Sequence, residues 1–131
     1  MTYLWVMLGS ALGGGARYFV SGLAAQHIGE TFPFGTLIVN VTGSFVIGFF
    51  AALTAPDGRV FAGSDTRQFV MAGLCGGYTT FSSFSLQTLN LARGGETGLA
   101  GANIVLSVAL CLLAVWAGFV AANALNQLKG T

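Results

Sequence analysis

Apolar residues run along this chain in four long stretches, approximately residues 3–25, 34–55, 68–91 and 99–125, and they are continuous rather than alternating. Short polar breaks separate them. The first runs from Gln26 to Pro33 with His27 and Glu30, the second from the Pro56-Asp57-Gly58-Arg59 turn to Asp65 and Arg67, and the third is Arg93-Gly94-Gly95-Glu96. About 20 apolar residues in a helix cross roughly 30 Å of hydrocarbon, so each stretch is long enough to span a bilayer. Strands of a membrane barrel would alternate instead, and in lipid only helices or closed barrels satisfy the backbone. The pattern predicts an all-α integral membrane protein with four transmembrane helices in one domain, residues 1–131, leaving no room for a soluble domain. Tyr3 and Trp5 suit an interfacial belt, and no positively charged segment precedes the first stretch, so it is expected to be a span rather than a removed signal.

Composition removes several alternatives. The 131 residues are 54% hydrophobic and only 7% charged, too few charges to cover a water-soluble globule. Five Lys or Arg against four Asp or Glu leave a net charge of +1 with no basic or acidic run, so no footprint for nucleic acid exists. Cys75 and Cys111 lie in apolar stretches at no metal or redox spacing and read as small core residues. One loop histidine, His27, and no Ser-His-Asp set or metal-ligand cluster leave an enzyme without acid, base or nucleophile. No Asp or Glu lies inside any stretch, and a proton-coupled cation exporter needs one.

Charge specifies orientation weakly. The termini and second loop carry Arg59, Arg67 and Lys129; the other side carries Arg93, with Arg17 inside the first stretch nearer that side. This small excess favours a fixed orientation with cytoplasmic termini. The sharper alternative is insertion both ways, pairing as an antiparallel dimer about a two-fold axis in the membrane plane.

Polar residues inside the spans carry the candidate chemistry. Arg17 sits about two-thirds along the first span, where a charge costs at least about 2.5 to 3.5 kcal/mol at mid-bilayer. Ser10, Gly14, Arg17 and Ser21 share one helical stripe that could line a vestibule, or Arg17 could snorkel to the interface. In the second span Asn40, Gly43, Ser44 and Gly48 share a face, making Asn40 either glue between helices or an amide aimed at an anion. In the third, Gly73-Leu74-Cys75-Gly76-Gly77-Tyr78-Thr79-Thr80 lowers helix propensity in mid-span. A break there would free carbonyl oxygens, hard ligands for a cation such as Na⁺; the residues alone favour a continuous helix with Gly73 and Gly77 as a packing face.

Beyond that segment Phe81, Phe84 and Thr88 lie on one stripe, beside Thr80, Ser83 and Gln87. Ring edges carry positive potential and could attract a small anion, although an aromatic pair is more often core. Asn103, Ser107 and Cys111 recur at intervals of four in the fourth span, a polar ladder along a path or a contact between helices.

The chain resembles the small bacterial fluoride channels of the CrcB type, called Fluc, over nearly its whole length. The resemblance rests on Gly9-x-x-x-Gly13-Gly14-x-x-Arg17-Tyr18, on Gly35-Thr36-Leu37-x-Val39-Asn40-x-x-Gly43-Ser44-Phe45, and above all on Gly73-x-x-Gly76-Gly77-Tyr78-Thr79-Thr80-Phe81-Ser82-Ser83-Phe84. It implies an antiparallel dual-topology homodimer of four-helix subunits, two fluoride pores, and a central structural Na⁺ where the third helices break. Gly76 and Thr79 would donate main-chain oxygens to that ion. Phe81 and Phe84 would line the pores, Asn40 would contact fluoride, Thr80, Ser83, Asn103 and Ser107 would supply the polar track, and Arg17 would stand in the vestibule. Cys111 occupies a position where another hydroxyl is expected.

The expected function is passive, selective fluoride export across the bacterial inner membrane, giving fluoride resistance. Its partners are the fluoride ion, lipid and a second copy, with no nucleic acid. The rival transport class, a dual-topology multidrug exporter, requires a glutamate in the first span, where this chain has glycines and Arg17. A non-transporting assembly subunit would use every small and polar residue for packing.

Overall fold

The computed structural model describes residues 1–129; the side chain of Lys129, counted above with the terminal charges, falls outside that description. The described residues are helical with short connections and no strand. Helix α1 runs over Thr2–His27, α2 over Phe34–Leu53, α3 over residues 64–78, α4 over Phe81–Arg93 and α5 over Thr97–Lys129. At 1.5 Å per residue, α2 is about 30 Å long and α5 about 50 Å. Glycine makes the turn out of α1: Gly29 has φ 105° and its N–H returns to the Ala25 carbonyl at 3.2 Å, closing the helix where a side chain would be strained.

The third stretch is two helices, as the resemblance implies. Its first half is an α turn, Ser64–Gln68, then a π-wound segment, Phe69–Cys75, then a last α turn, Gly76–Tyr78. Thr79 and Thr80 are both extended, with ψ 158° and 111°, and α4 restarts at Phe81 with the Thr80 hydroxyl capping the Ser83 N–H at 3.2 Å. The break therefore falls on the two β-branched residues after the glycines, and the glycines themselves remain helical.

They serve packing instead. A Cβ at Gly9 would stand 2.6 Å from the Phe69 carbonyl oxygen, and one at Gly77 would stand 2.6 Å from that of Ser10, so α1 and α3 meet backbone to backbone. Gly48 and Gly118 do the same for α2 against α5. The packing face expected of Gly73 and Gly77 is present, but the continuous helix expected with it is not: the seam ends in the break that the resemblance implies.

The buried apolar set is small, Ala24, Phe32, Val39, Ala52, Cys75, Phe84, Ala100 and Ala122, while Leu12, Phe19, Val105, Leu112 and Trp116 point outward. Small residues inside and large ones outside is the arrangement of helices whose solvent is lipid. By length and composition two helices among the described residues, Phe34–Leu53 and Thr97–Leu128, suffice on their own to cross a membrane. Helix α1 has the length but is diluted by Ser10, Arg17, Ser21 and its glycines, and the third stretch is cut into two shorter pieces.

Hydrogen bonds tie the termini and the second loop into one end of the bundle, as the count of spans requires. Thr2 Oγ1 donates to Asp65 at 2.9 Å, and Arg59 donates through its N–H to Asn126 Oδ1 at 2.6 Å and through Nη1 to the Leu125 carbonyl at 3.1 Å. Arg67 Nη1 donates to the Thr54 carbonyl at 2.8 Å and to the Thr54 hydroxyl. Each arginine meets carbonyls at the C-terminal end of a helix, where a cation is favoured.

Candidate functional site

The break in the third stretch organises everything polar around it. In a continuous helix the Thr80 N–H would bond the Gly76 carbonyl; here it donates to Asn40 Oδ1 at 2.7 Å, and Asn40 Nδ2 donates back to the Thr80 carbonyl at 3.1 Å. The amide of α2 thus supplies the acceptor that the Thr80 N–H has lost and a donor to the Thr80 carbonyl, both from one residue. Because Oδ1 is committed to an N–H, the orientation of the amide is fixed, and Nδ2 keeps a second hydrogen beyond the one given to Thr80.

Arg17 closes the other open bond. Its Nε donates to the Gly77 carbonyl at 3.2 Å, so the guanidinium reaches sideways to the end of α3 rather than snorkelling along α1. A cation beside a helix C-terminus is favoured by the dipole as well as by the bond. The Gly76 carbonyl has lost its helical donor to Asn40, and the Ser83 N–H that would serve Thr79 goes to the Thr80 hydroxyl instead. Gly76 and Thr79 therefore offer neutral, hard oxygens that fit a cation such as Na⁺. Among the described residues no group of three His, Cys, Asp or Glu could hold a metal, so main-chain oxygen is the donor type present.

Two cavities adjoin the break and share Thr80. One, of about 410 Å³, is lined by Asn40, Gly76, Thr79, Thr80, Phe81, Phe84 and Ser107, with Ser44 and Cys111. The other, of about 500 Å³, is lined by Arg17, Ser21, Thr80, Ser83 and Gln87, with Glu30 and Glu96 from the first and third loops. The Phe81 and Phe84 rings stand 5.3 Å apart at 48°; Phe84 is buried, whereas Phe81 is 77% exposed. The order along the bundle is a charged cavity, a hydroxyl-bearing junction at Thr80, then an aromatic chamber with the Asn40 amide and the hydroxyls of Ser44, Thr79 and Ser107.

Asn103 lines neither cavity. It is 2% exposed, its Nδ2 donates to Thr88 Oγ1 at 2.9 Å, and its Oδ1 accepts from the Ser107 hydroxyl at 3.3 Å. Thr88 in turn donates to the Phe84 carbonyl at 2.7 Å. Asn103 thus holds Ser107 in place from behind, and Ser107 must turn its hydrogen away from Asn103 to donate into the chamber.

Sequence reasoning placed Thr88 on a stripe with the two rings but missed its bond to Asn103, which joins residues from two helices. Glu30 and Glu96 were seen only as loop charges; loop positions carry no periodicity that could bring them to the Arg17 cavity. Gln87 was noted on its stripe, and its Oε1 is buried without a hydrogen bond.

Comparison with known proteins gives the same address. The family described as CrcB-like protein, Camphor Resistance (CrcB), matches residues 4–119. The fluoride-specific ion channel FluC of Opitutus terrae is 64% identical over 129 residues, covering 98% of both chains. The FluC of Methylocella silvestris is 62% identical over 130 residues, covering 99% of both, and that of Rhodospirillum rubrum 61% over 127, covering 97% of this chain and 98% of that one.

Proposed function

The chain belongs to the CrcB family, and from that membership we propose that it is a fluoride-selective channel that lets fluoride leave the cell passively and so confers resistance. It is a membrane protein of the ion-channel kind and not an enzyme, in keeping with relatives named as fluoride-specific ion channels. The observation that carries the reading is the meeting of Asn40, Phe81, Phe84 and Ser107 in one chamber that adjoins the Arg17 cavity at Thr80.

The chemistry follows from dehydration. Moving a bare anion into an idealised low-dielectric medium costs on the order of tens of kcal/mol, so the path must replace water at successive weak sites. Arg17 offsets the repulsion of an anion by Glu30 and Glu96 at the mouth, the hydroxyls of Thr80 and Ser83 take over the first water contacts, and the free Nδ2 hydrogen of Asn40 with the ring edges of Phe81 and Phe84 holds the ion in the chamber. Ser107, backed by Asn103, continues the track. No proton-binding carboxylate is needed, because an inside-negative potential drives an anion outward.

Assembly completes the reading. Two copies inserted in opposite directions form an antiparallel homodimer in the bacterial inner membrane, with two pores and one Na⁺ on the axis. The exposed ring of Phe81 and the exposed apolar faces support burial against a second copy. The Na⁺ would be held by the Gly76 and Thr79 carbonyls of both copies, where it satisfies broken backbone and is not carried.

Growth at raised fluoride of a bacterium stripped of its own fluoride defence tests the function. Cells expressing this chain should grow where cells with an empty vector do not; equal growth removes the proposal. A C-terminal tag should be labelled from both membrane faces, and labelling from one face only removes the antiparallel assembly.

A further inference from the structure

The hydroxyls on the walls of the aromatic chamber differ in whether their hydrogens are already given away. Thr79 donates to the Cys75 carbonyl at 2.9 Å and Ser107 to Asn103 Oδ1 at 3.3 Å. The Thr80 hydroxyl is paired with that of Ser82 at 3.3 Å and accepts from the Ser83 N–H. Ser44, on the α2 wall, stands apart: among the described residues its hydroxyl has no hydrogen-bond partner. A hydroxyl in a helix commonly turns back to the carbonyl four residues earlier, as Thr42, Thr54 and Thr88 do at 2.8, 2.7 and 2.7 Å. Ser44 makes no such bond to Asn40. Its oxygen is not sealed by packing either, because Gln87 Oε1 is the one fully buried side-chain N or O without a partner among the described residues. The Cys75 and Cys111 thiols on the same walls are weak donors.

We infer that Ser44 is a fluoride-contacting residue, the second donor of a two-point site that it forms with Asn40. The inference deepens the channel reading above and rests on it. Asn40 and Ser44 lie four residues apart in the unbroken helix α2 and both line the chamber. At that spacing two Cβ atoms are about 5 to 6 Å apart on one face of a helix. Hydrogen bonds to a charged acceptor are about 2.5 to 2.9 Å long, so one small anion can accept from the free Nδ2 hydrogen of Asn40 and from the Ser44 hydroxyl together. Availability favours Ser44 over the other hydroxyls. Ser107 and Thr79 must each break an existing bond to face an ion, whereas Ser44 gives up nothing within the chain. A rotating hydroxyl on a short side chain also releases its ion readily, as a conducting site requires.

The parent, Ser44→Ala and Ser85→Ala are purified, melted in detergent and reconstituted into liposomes, and fluoride efflux is recorded over a range of fluoride concentrations. Alanine at position 44 breaks no bond within the chain and has the higher helix propensity, so Ser44→Ala should melt no earlier than the parent. Its efflux at low fluoride should fall about tenfold, the effect of losing one hydrogen bond to a charged group, and the concentration for half-maximal efflux should rise by a similar factor. Ser85 lines neither cavity and donates its hydroxyl to the Phe81 carbonyl at 3.0 Å, so Ser85→Ala should conduct like the parent. Efflux of Ser44→Ala equal to the parent's, or a matching loss in Ser85→Ala, would overturn the contact. So would a loss accompanied by earlier melting or by an unchanged half-maximal concentration, since those are marks of packing. A parent that releases no fluoride would instead remove the channel reading itself, and this contact with it.

Discussion

Asn40 and Thr80 are joined by two hydrogen bonds that run in opposite directions, side-chain amide to main chain, across the gap between α2 and the broken third helix. The pair is both the repair of the break and the device that aims an N–H into the chamber. Asn40→Asp keeps an acceptor for the Thr80 N–H but has no hydrogen for the Thr80 carbonyl or for an anion. Asn40→Ala loses both bonds. A buried polar group left unpaired costs about 1 to 3 kcal/mol, so both variants should melt earlier than the parent in detergent. Fluoride efflux should be abolished in both; flux in Asn40→Asp equal to the parent would separate Asn40 from the ion.

The two rings make different demands. Phe84 is buried and Phe81 is exposed on the single chain, yet both edge the same chamber. Phe81→Ile and Phe84→Ile retain bulk and should fold, while losing the positive ring edge. Stopped efflux in purified, correctly sized protein is the expected outcome. Undiminished efflux in both would assign the rings to packing alone.

Backbone contact between α1 and α3 can be tested with a single methyl. Gly77→Ala places a Cβ 2.6 Å from the Ser10 carbonyl oxygen, whereas Gly22→Ala in α1 meets nothing within 4 Å. Gly22→Ala should be neutral or stabilising by up to about 1 kcal/mol through helix propensity. Gly77→Ala should destabilise by about 1 to 3 kcal/mol, the usual cost of overpacking. Thermal unfolding in detergent reads both, and equal melting of the two variants would contradict the seam.

Arg17 bonds the end of α3, and the electrostatic task proposed for it is separated from that bond by salt. Arg17→Gln retains a donor for the Gly77 carbonyl but removes the charge from the vestibule. Its efflux should fall most at low ionic strength and approach the parent's near 1 M salt, where the screening length is about 3 Å. A deficit that does not change with salt would leave Arg17 only its bond to the helix end.

Much of this was legible in the sequence, for physical reasons that also mark the limits. Helix α2 and helix α5 show as unbroken apolar runs because lipid demands apolar surface over the whole length. The third stretch was harder. Its glycines lower helix propensity, yet propensity is local, and the close approach of Gly9 to Phe69 and Gly73 supplies a tertiary reason for them to stay helical. The break moved to Thr79 and Thr80, where Asn40 waits to replace the lost bond. Periodicity placed Thr80, Ser83 and Gln87 on one stripe, and all three line the vestibule cavity. It placed Asn103 and Ser107 on another, but could not show that Asn103 turns to Thr88 and stands behind the chamber rather than in it. The π winding of Phe69–Cys75 had no sequence signal that we identified.

The central claim is that fluoride crosses through this chain unaided. Purified protein reconstituted into liposomes loaded with fluoride and chloride, with a fluoride electrode outside and the potential set by a potassium gradient, measures it directly. Rapid fluoride release with chloride retained, at equal pH on both sides, is the result the structure predicts. Vesicles that hold their fluoride, release both halides alike, or release fluoride only when a pH gradient is imposed would contradict it.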